Sequence, residues 1–127
     1  MRKEEVEKYL NKKVEEGEVV SPVLPDGTTN YLIDIDGTIC KEVGEVIGRE
    51  PYMDRIEKIN KLYDEGHTIV FYTARGLKSG RGEKHYRPIT EQQLKEWGVK
   101  YHELCFKGHN GDYFIDDRGI NAEDFFK

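Results

Sequence analysis

The chain has 127 residues, carries a formal charge of −5, and is 36% hydrophobic against 35% charged. That length holds one domain with a modest core and is short for two ordinary ones. The acidic balance argues against a nucleic-acid partner bound over the whole surface, and the five Phe, eight Tyr and one Trp argue against a disordered chain.

In chain order, "MRKEEVEKYL" lacks the apolar stretch of a signal peptide. No later run approaches the roughly 20 apolar residues that span a bilayer. The expectation is a soluble cytoplasmic protein with no membrane partner. Val6, Tyr9, Leu10 and Val14 recur at helical spacing and Gly17 is a natural stop, which predicts a helix over 2–16. "SPVLPDGTTN" then reads as a connector. "YLIDIDGTIC" begins as a buried strand, at about 30 to 36, but carries Asp34 and Asp36 at its end. Buried carboxylates are costly unless paired or metal-bound, so these two acids require an explanation.

"CKEVGEVIGREP" reads as a flap or small hairpin. Met53, Ile56, Ile59 and Tyr63 predict a helix over 52–65, ended by Gly66. "HTIVFYT" is a continuous apolar run, the pattern of a strand covered on both faces. Residues 74–89 read as a long polar loop. Thr90 is then expected to cap a helix ending near Trp97 and Gly98, with Gln93 completing a capping box. "KYHELCF" and "DYFIDD" predict third and fourth strands, and a short terminal helix carries Phe125 and Phe126 inward. His67, His102 and Trp97 read as structural, and Cys40 and Cys105 as buried thiols, since neither belongs to a Cys-x-x-Cys pair. Strands alternating with helices predict an α/β sheet.

In such sheets ligands bind beyond the carboxyl ends of the strands. Those ends carry Asp34, Asp36 and Thr38 after the first strand, Thr73 and Arg75 after the second, Lys107 after the third, and Asp116 with Asp117 after the fourth. The order "DIDGT", "TAR", "K", "DD" resembles the haloacid dehalogenase superfamily of phosphatases and phosphotransferases, over residues 31–118. The resemblance implies a three-layer, Rossmann-like parallel sheet of order 3-2-1-4 flanked by helices. It makes 1–127 one domain, with 1–29 as N-terminal helix and connector and 30–127 as catalytic core. The stretches 37–72 and 74–106 are too short to hold a cap domain once a helix and a strand are subtracted from each.

By this resemblance Asp34 is the nucleophile that forms an aspartyl-phosphate, splitting one difficult displacement into two easier ones. Asp36 protonates the leaving oxygen and then activates water, and so must start protonated. Thr73 bonds a phosphoryl oxygen and Lys107 neutralises charge, with Lys84 and Lys100 as rival lysines. The resemblance places Mg2+ on Asp34, the backbone carbonyl of Asp36, and Asp116. Asp117 binds it directly or through water.

The basic loop "RGLKSGRGEKHYR" suggests an anion clamp over the site, with Arg75, Arg81 and Lys84 joining Thr38 in substrate binding. The function implied is a magnesium-dependent phosphomonoester hydrolase acting on a small phosphorylated metabolite such as a sugar phosphate. A nucleic-acid 3′-end phosphatase is the enzyme alternative, and a non-catalytic binding module is the alternative outside enzymes. An uncapped site leaves a homo-oligomer open, through the N-terminal helix and the flap.

Overall fold

The computed structural model describes residues 28–109 and 111–127. The expected helix over 2–16 and most of the connector lie outside the described residues. Three strands form one parallel sheet, β1 (Asn30–Ile33), β2 (Thr68–Thr73) and β3 (Glu103–Phe106), in the spatial order β1-β2-β3. Among the described residues three helices accompany it: α1 (Met53–Asp64), α2 (Gly82–Glu96) and α3 (Ala122–Phe125). No inserted cap domain occurs among the described residues.

The register explains how one face is sealed. Ile33 lies opposite Phe71, and Phe71 opposite Leu104; all three are buried. They pack with Ile35, Ile39, Ile56, Ile59, Ile69 and Leu94 into the core. Residues paired across parallel strands share a face, so Leu32, Val70, Tyr72 and Cys105 line the other side. There Leu32 and Tyr72 are exposed. The apolar run of β2 is therefore sealed on one face and only partly covered on the other among the described residues, a correction to the expectation of a strand buried on both.

Two further corrections concern element boundaries. The helix expected to begin at Thr90 begins at Gly82, with Pro88 inside it, so the polar loop shrinks to 74–81. Thr90 is not its cap: the side chain is fully buried, and its hydroxyl accepts a hydrogen bond from Arg75. Residues 112–117 form no strand. Tyr113 is 86% and Ile115 96% exposed, and the expected four-strand order is represented by three strands. A strand needs a paired edge as well as apolar residues, and β2 is the partner of β1 here.

The structural histidines behave as expected. His67 Nδ1 accepts from Thr29 N, and His102 Nδ1 accepts from Ile69 N while its ring stacks on Tyr63. Phe125 packs against Tyr31, and Arg55 pairs with Glu123, which fastens α3 to the body. Trp97 is half-buried against the core.

Candidate active site

Parallel strands end on one rim, and the rim collects the chemistry. Asp34 follows β1, Thr73 ends β2, and Lys107 follows β3. Lys107 N donates to Thr73 O at 2.8 Å, which extends the β2–β3 ladder by one step and fixes where its side chain leaves the sheet. Lys107 Nζ then lies 3.8 Å from Asp34 Oδ1 and 4.2 Å from the Phe114 ring centre. The Lys107 side chain is 8% exposed, whereas that of Asp34 is 44% exposed. Burial pushes the Asp34 carboxyl above its ordinary pKa, and Asp36 and Glu42 push the same way. Lys107 and the Ile35 N–H oppose the rise.

Beyond Asp34 the chain turns tightly. Ile39 N and Thr38 N both return to Ile35 O, and Gly37 N donates to Cys40 O with Gly37 at φ 82°. That turn directs Asp36 into a cluster invisible in local sequence. Arg75 grips the carboxylate with two nitrogens, Nε to Oδ2 at 3.0 Å and Nη2 to Oδ1 at 2.9 Å. Its remaining nitrogen, Nη1, donates to Thr90 Oγ1. Arg49 Nη1 sits 2.8 Å from the same Oδ1, and Cys40 Sγ donates to it at 3.4 Å. Burial alone would raise the Asp36 pKa, but the hydrogen bonds and charges of Arg75 and Arg49 together outweigh it and hold Asp36 below the ordinary carboxylate value. Arg75 and Arg49 thus favour the ionised form of Asp36, against the protonated start that the resemblance implies, while the Asp34 pKa is raised.

The flap closes over this cluster. Lys41 N bonds Glu50 O and Tyr52 N bonds Ile39 O, so its base is pinned. A 3-10 turn at Val46–Gly48 forms its tip, and Gln93 Nε2 of α2 donates to Val46 O. The flap therefore packs toward the site and α2. On the far side, Gly76 and Gly82 close the 76–82 loop: Gly82 N donates to Gly76 O at 3.1 Å.

Together these segments line a cleft of about 370 Å3. Asp34, Asp36, Glu42, Arg49, Arg75, Lys78 and Lys107 supply its charge, and Val46, Ser79, Tyr86 and Phe114 much of its remaining wall. The other expected residues are placed differently. Thr73 is buried just beneath the rim, its Oγ1 accepting from Arg75 N, which leaves its own proton free to donate. The side chain of Thr38 is not in the lining, and its carbonyl accepts from Arg55. Arg81 and Lys84 are exposed and outside the lining, so Lys78 is the basic-loop residue beyond Arg75 that reaches the cleft. Arg75 itself is committed to Asp36 and Thr90 rather than to an open clamp.

Asp116 and Asp117 are exposed and stand apart from the lining. Asp116 Oδ1 accepts from Arg118 N and Gly119 N in its own turn. No group of three or more His, Cys, Asp or Glu side chains gathers to hold a metal among the described residues. A magnesium ion takes several oxygen ligands, and Asp34, Asp116 and Asp117 are not gathered into one set in this arrangement.

Arg49, Cys40 and Glu42 are the members that sequence reading missed. Arg49 stands between Gly48 and Glu50 in a flap with no periodicity to mark it. The one available signal was a cation in a short segment returning directly from the two acids.

No protein-family model matches the chain, and no curated protein matches it significantly. Solved structures do. The chain is 28% identical to a structural-genomics target from Vibrio cholerae, with a TM-score of 0.68 over 78% of this chain and 88% of that one. It also overlays chains of a Pnkp1/Rnl/Hen1 complex, at 20% identity and a TM-score of 0.52 over 72% of this chain and 32% of that one. A second structure, titled as the Pnkp1/Rnl/Hen1 RNA repair complex, gives 16% identity and a TM-score of 0.52 over 90% of this chain and 42% of that one. The fold is thus similar to part of those longer chains. Among the described residues, no helix is long and apolar enough to cross a membrane.

Proposed function

We propose that this chain is a phosphomonoester hydrolase of the haloacid dehalogenase type. The observation that carries the reading is the pairing of Asp34 and Lys107 across one sheet rim, at 3.8 Å, with Thr73 at the end of the strand between them. Asp34 is partly open to the cleft and can reach an incoming phosphorus. Its oxygen attacks, the ester P–O bond breaks, and the leaving oxygen takes a proton. Water then attacks the aspartyl-phosphate, gives up a proton, and releases phosphate with the carboxylate restored. Lys107 stabilises the charge that collects on the phosphoryl oxygens, and Thr73 donates to one of them. Asp36 handles both protons: with the positive company of Arg75 and Arg49 reduced it takes up a proton, gives it to the leaving oxygen, and then accepts one from the attacking water.

Magnesium belongs to the same proposal, with Asp34, the Asp36 carbonyl, Asp116 and Asp117 as its ligands. That assignment requires 112–117 to lie along the open edge of β1 as a fourth strand, in the order 3-2-1-4. The substrate is proposed to be a small phosphorylated metabolite such as a sugar phosphate. The second reading, a nucleic-acid 3′-end phosphatase, draws on Lys78 and the rings of Tyr86 and Phe114, which share the cleft and suit a base and its backbone.

Asp34→Asn is expected to abolish phosphate release from p-nitrophenyl phosphate while leaving the thermal unfolding transition in place. Turnover equal to that of the unmodified protein would remove Asp34 as the nucleophile. A screen of sugar phosphates against 3′-phosphorylated oligonucleotides separates the two substrate classes, and inactivity on every phosphomonoester would favour the binding module.

A further inference from the structure

Asp36 has more donors than its carboxylate needs. Oδ1 alone meets Arg75 Nη2, Arg49 Nη1 and Cys40 Sγ, at 2.9, 2.8 and 3.4 Å. One carboxylate oxygen offers roughly two lone-pair sites. Arg75 already satisfies the group bidentately, and a single guanidinium balances its charge. One cation is therefore surplus.

The two arginines are not equivalent. Arg75 is buried on the loop that leaves β2, and every guanidinium nitrogen has a protein acceptor. Arg49 touches Asp36 with one nitrogen. Its Nε reaches only the flap's own Gly44 O, at 3.3 Å. Its backbone is held, because Arg49 N donates to Val46 O and the flap base is pinned at Lys41 and Tyr52. The side chain can swing without the flap opening. It already lines the cleft that holds Asp34 and Lys107.

We propose that Arg49 is the anion-recognising residue of the cleft, exchanging the Asp36 carboxylate for the anionic group of the ligand and freeing Asp36 as it does so. A guanidinium fork matches a phosphoryl group as well as it matches a carboxylate, so the exchange is between like partners. A dianionic phosphoryl group carries more charge than Asp36, which favours the exchange. Asp36 keeps Arg75 and Cys40 throughout and so stays oriented, while Oδ1 is relieved of its third donor. The inference rests on the hydrolase reading for the identity of the anion.

Two measurements test it. Inorganic phosphate binding is followed by calorimetry, and p-nitrophenyl phosphate hydrolysis by steady-state kinetics, for the unmodified chain, Arg49→Met, Arg49→Lys and, as a charge control on the exposed end of α2, Lys95→Met. Arg49→Met is expected to weaken phosphate binding and to raise KM by roughly tenfold or more, the size of a lost charge-assisted hydrogen bond, with a smaller change in kcat. Arg49→Lys should recover part of the loss, because it restores the charge without the fork, and Lys95→Met should match the unmodified chain. Unchanged phosphate binding in Arg49→Met overturns the inference. So does a fall in kcat at constant KM, which would make Arg49 only a support for Asp36. Arg49→Gln carries the same comparison if the methionine variant fails to fold. A chain that hydrolyses no phosphomonoester, yet binds phosphate in an Arg49-dependent way, would sink the hydrolase reading and leave this inference standing.

Discussion

Cys40 shows how a residue without a sequence signal acquires a place. Nothing in "DGTIC" distinguishes it from a core thiol, and it is fully buried among apolar neighbours. Yet Sγ faces Asp36 Oδ1 and Ile35 O, so its proton has two acceptors. Burial first, then the Asp36 charge and hydrogen bond, push the thiol up to about 12. A raised pKa means that the neutral thiol persists below that value, and the neutral thiol is a poor nucleophile. At pH 8, iodoacetamide should leave Cys40 unmodified in the folded protein and label it only after unfolding, as read by peptide mass spectrometry. Half-buried Cys105 should label first. Rapid native labelling of Cys40 would contradict the burial that holds the Asp36 cluster together. The site was legible in sequence where chemistry follows strand ends, at Asp34, Thr73 and Lys107. It was not legible where chemistry depends on partners many residues away. Asp36 reads as a free acid until Arg75 and Arg49 meet it in space, and that meeting favours its ionised form.

At the scale of elements, the strands and α1 were readable because their patterns are local: apolar runs, helical spacing and a stopping glycine. The start of α2 was missed because Gly76, Gly80, Gly82 and Pro88 all read as loop. What decides the boundary is a close approach of backbones. A Cβ on Gly76 would lie 2.8 Å from the Gly82 carbonyl carbon and oxygen, and φ there is +92°. Gly82 also has positive φ, at +74°, but open space around it. The two positions separate strain from clash. Gly82→Ala should cost about 1 kcal/mol, the penalty for a left-handed alanine. Gly76→Ala should cost more, about 2–3 kcal/mol, because it adds a backbone collision to a similar strain. Thermal unfolding of the two variants provides the comparison. Equal losses would mean that the Gly76–Gly82 contact does not hold the loop, and with it the Lys78 and Ser79 side of the cleft.

At the scale of the molecule, the sheet is unfinished among the described residues. β1 pairs on one side only among the described residues, and a later segment leaves apolar residues facing solvent: Tyr113, Phe114, Ile115 and Ile120. The apolar run in "DYFIDD" is a genuine strand pattern, but backbone hydrogen bonding across chain-distant segments decides whether a strand forms, and the sequence pattern does not report that. The proposed fourth strand ties this gap to the metal, since laying 112–117 along β1 would bring Asp116 and Asp117 to the rim that Asp34 occupies. Like charges on that rim would resist the docking until a cation offsets them. Magnesium with inorganic phosphate should therefore slow amide hydrogen exchange across 113–116, and chelator should restore fast exchange and stop turnover together. Asp116→Asn is the matching variant. Its carboxylate is exposed and bonded only within its own turn, so the unfolding temperature should hardly move while turnover falls steeply. Fast exchange at 113–116 under every condition, with full activity in Asp116→Asn, would leave the cleft of Asp34, Arg49 and Lys107 as the whole site and remove the metal from the proposal.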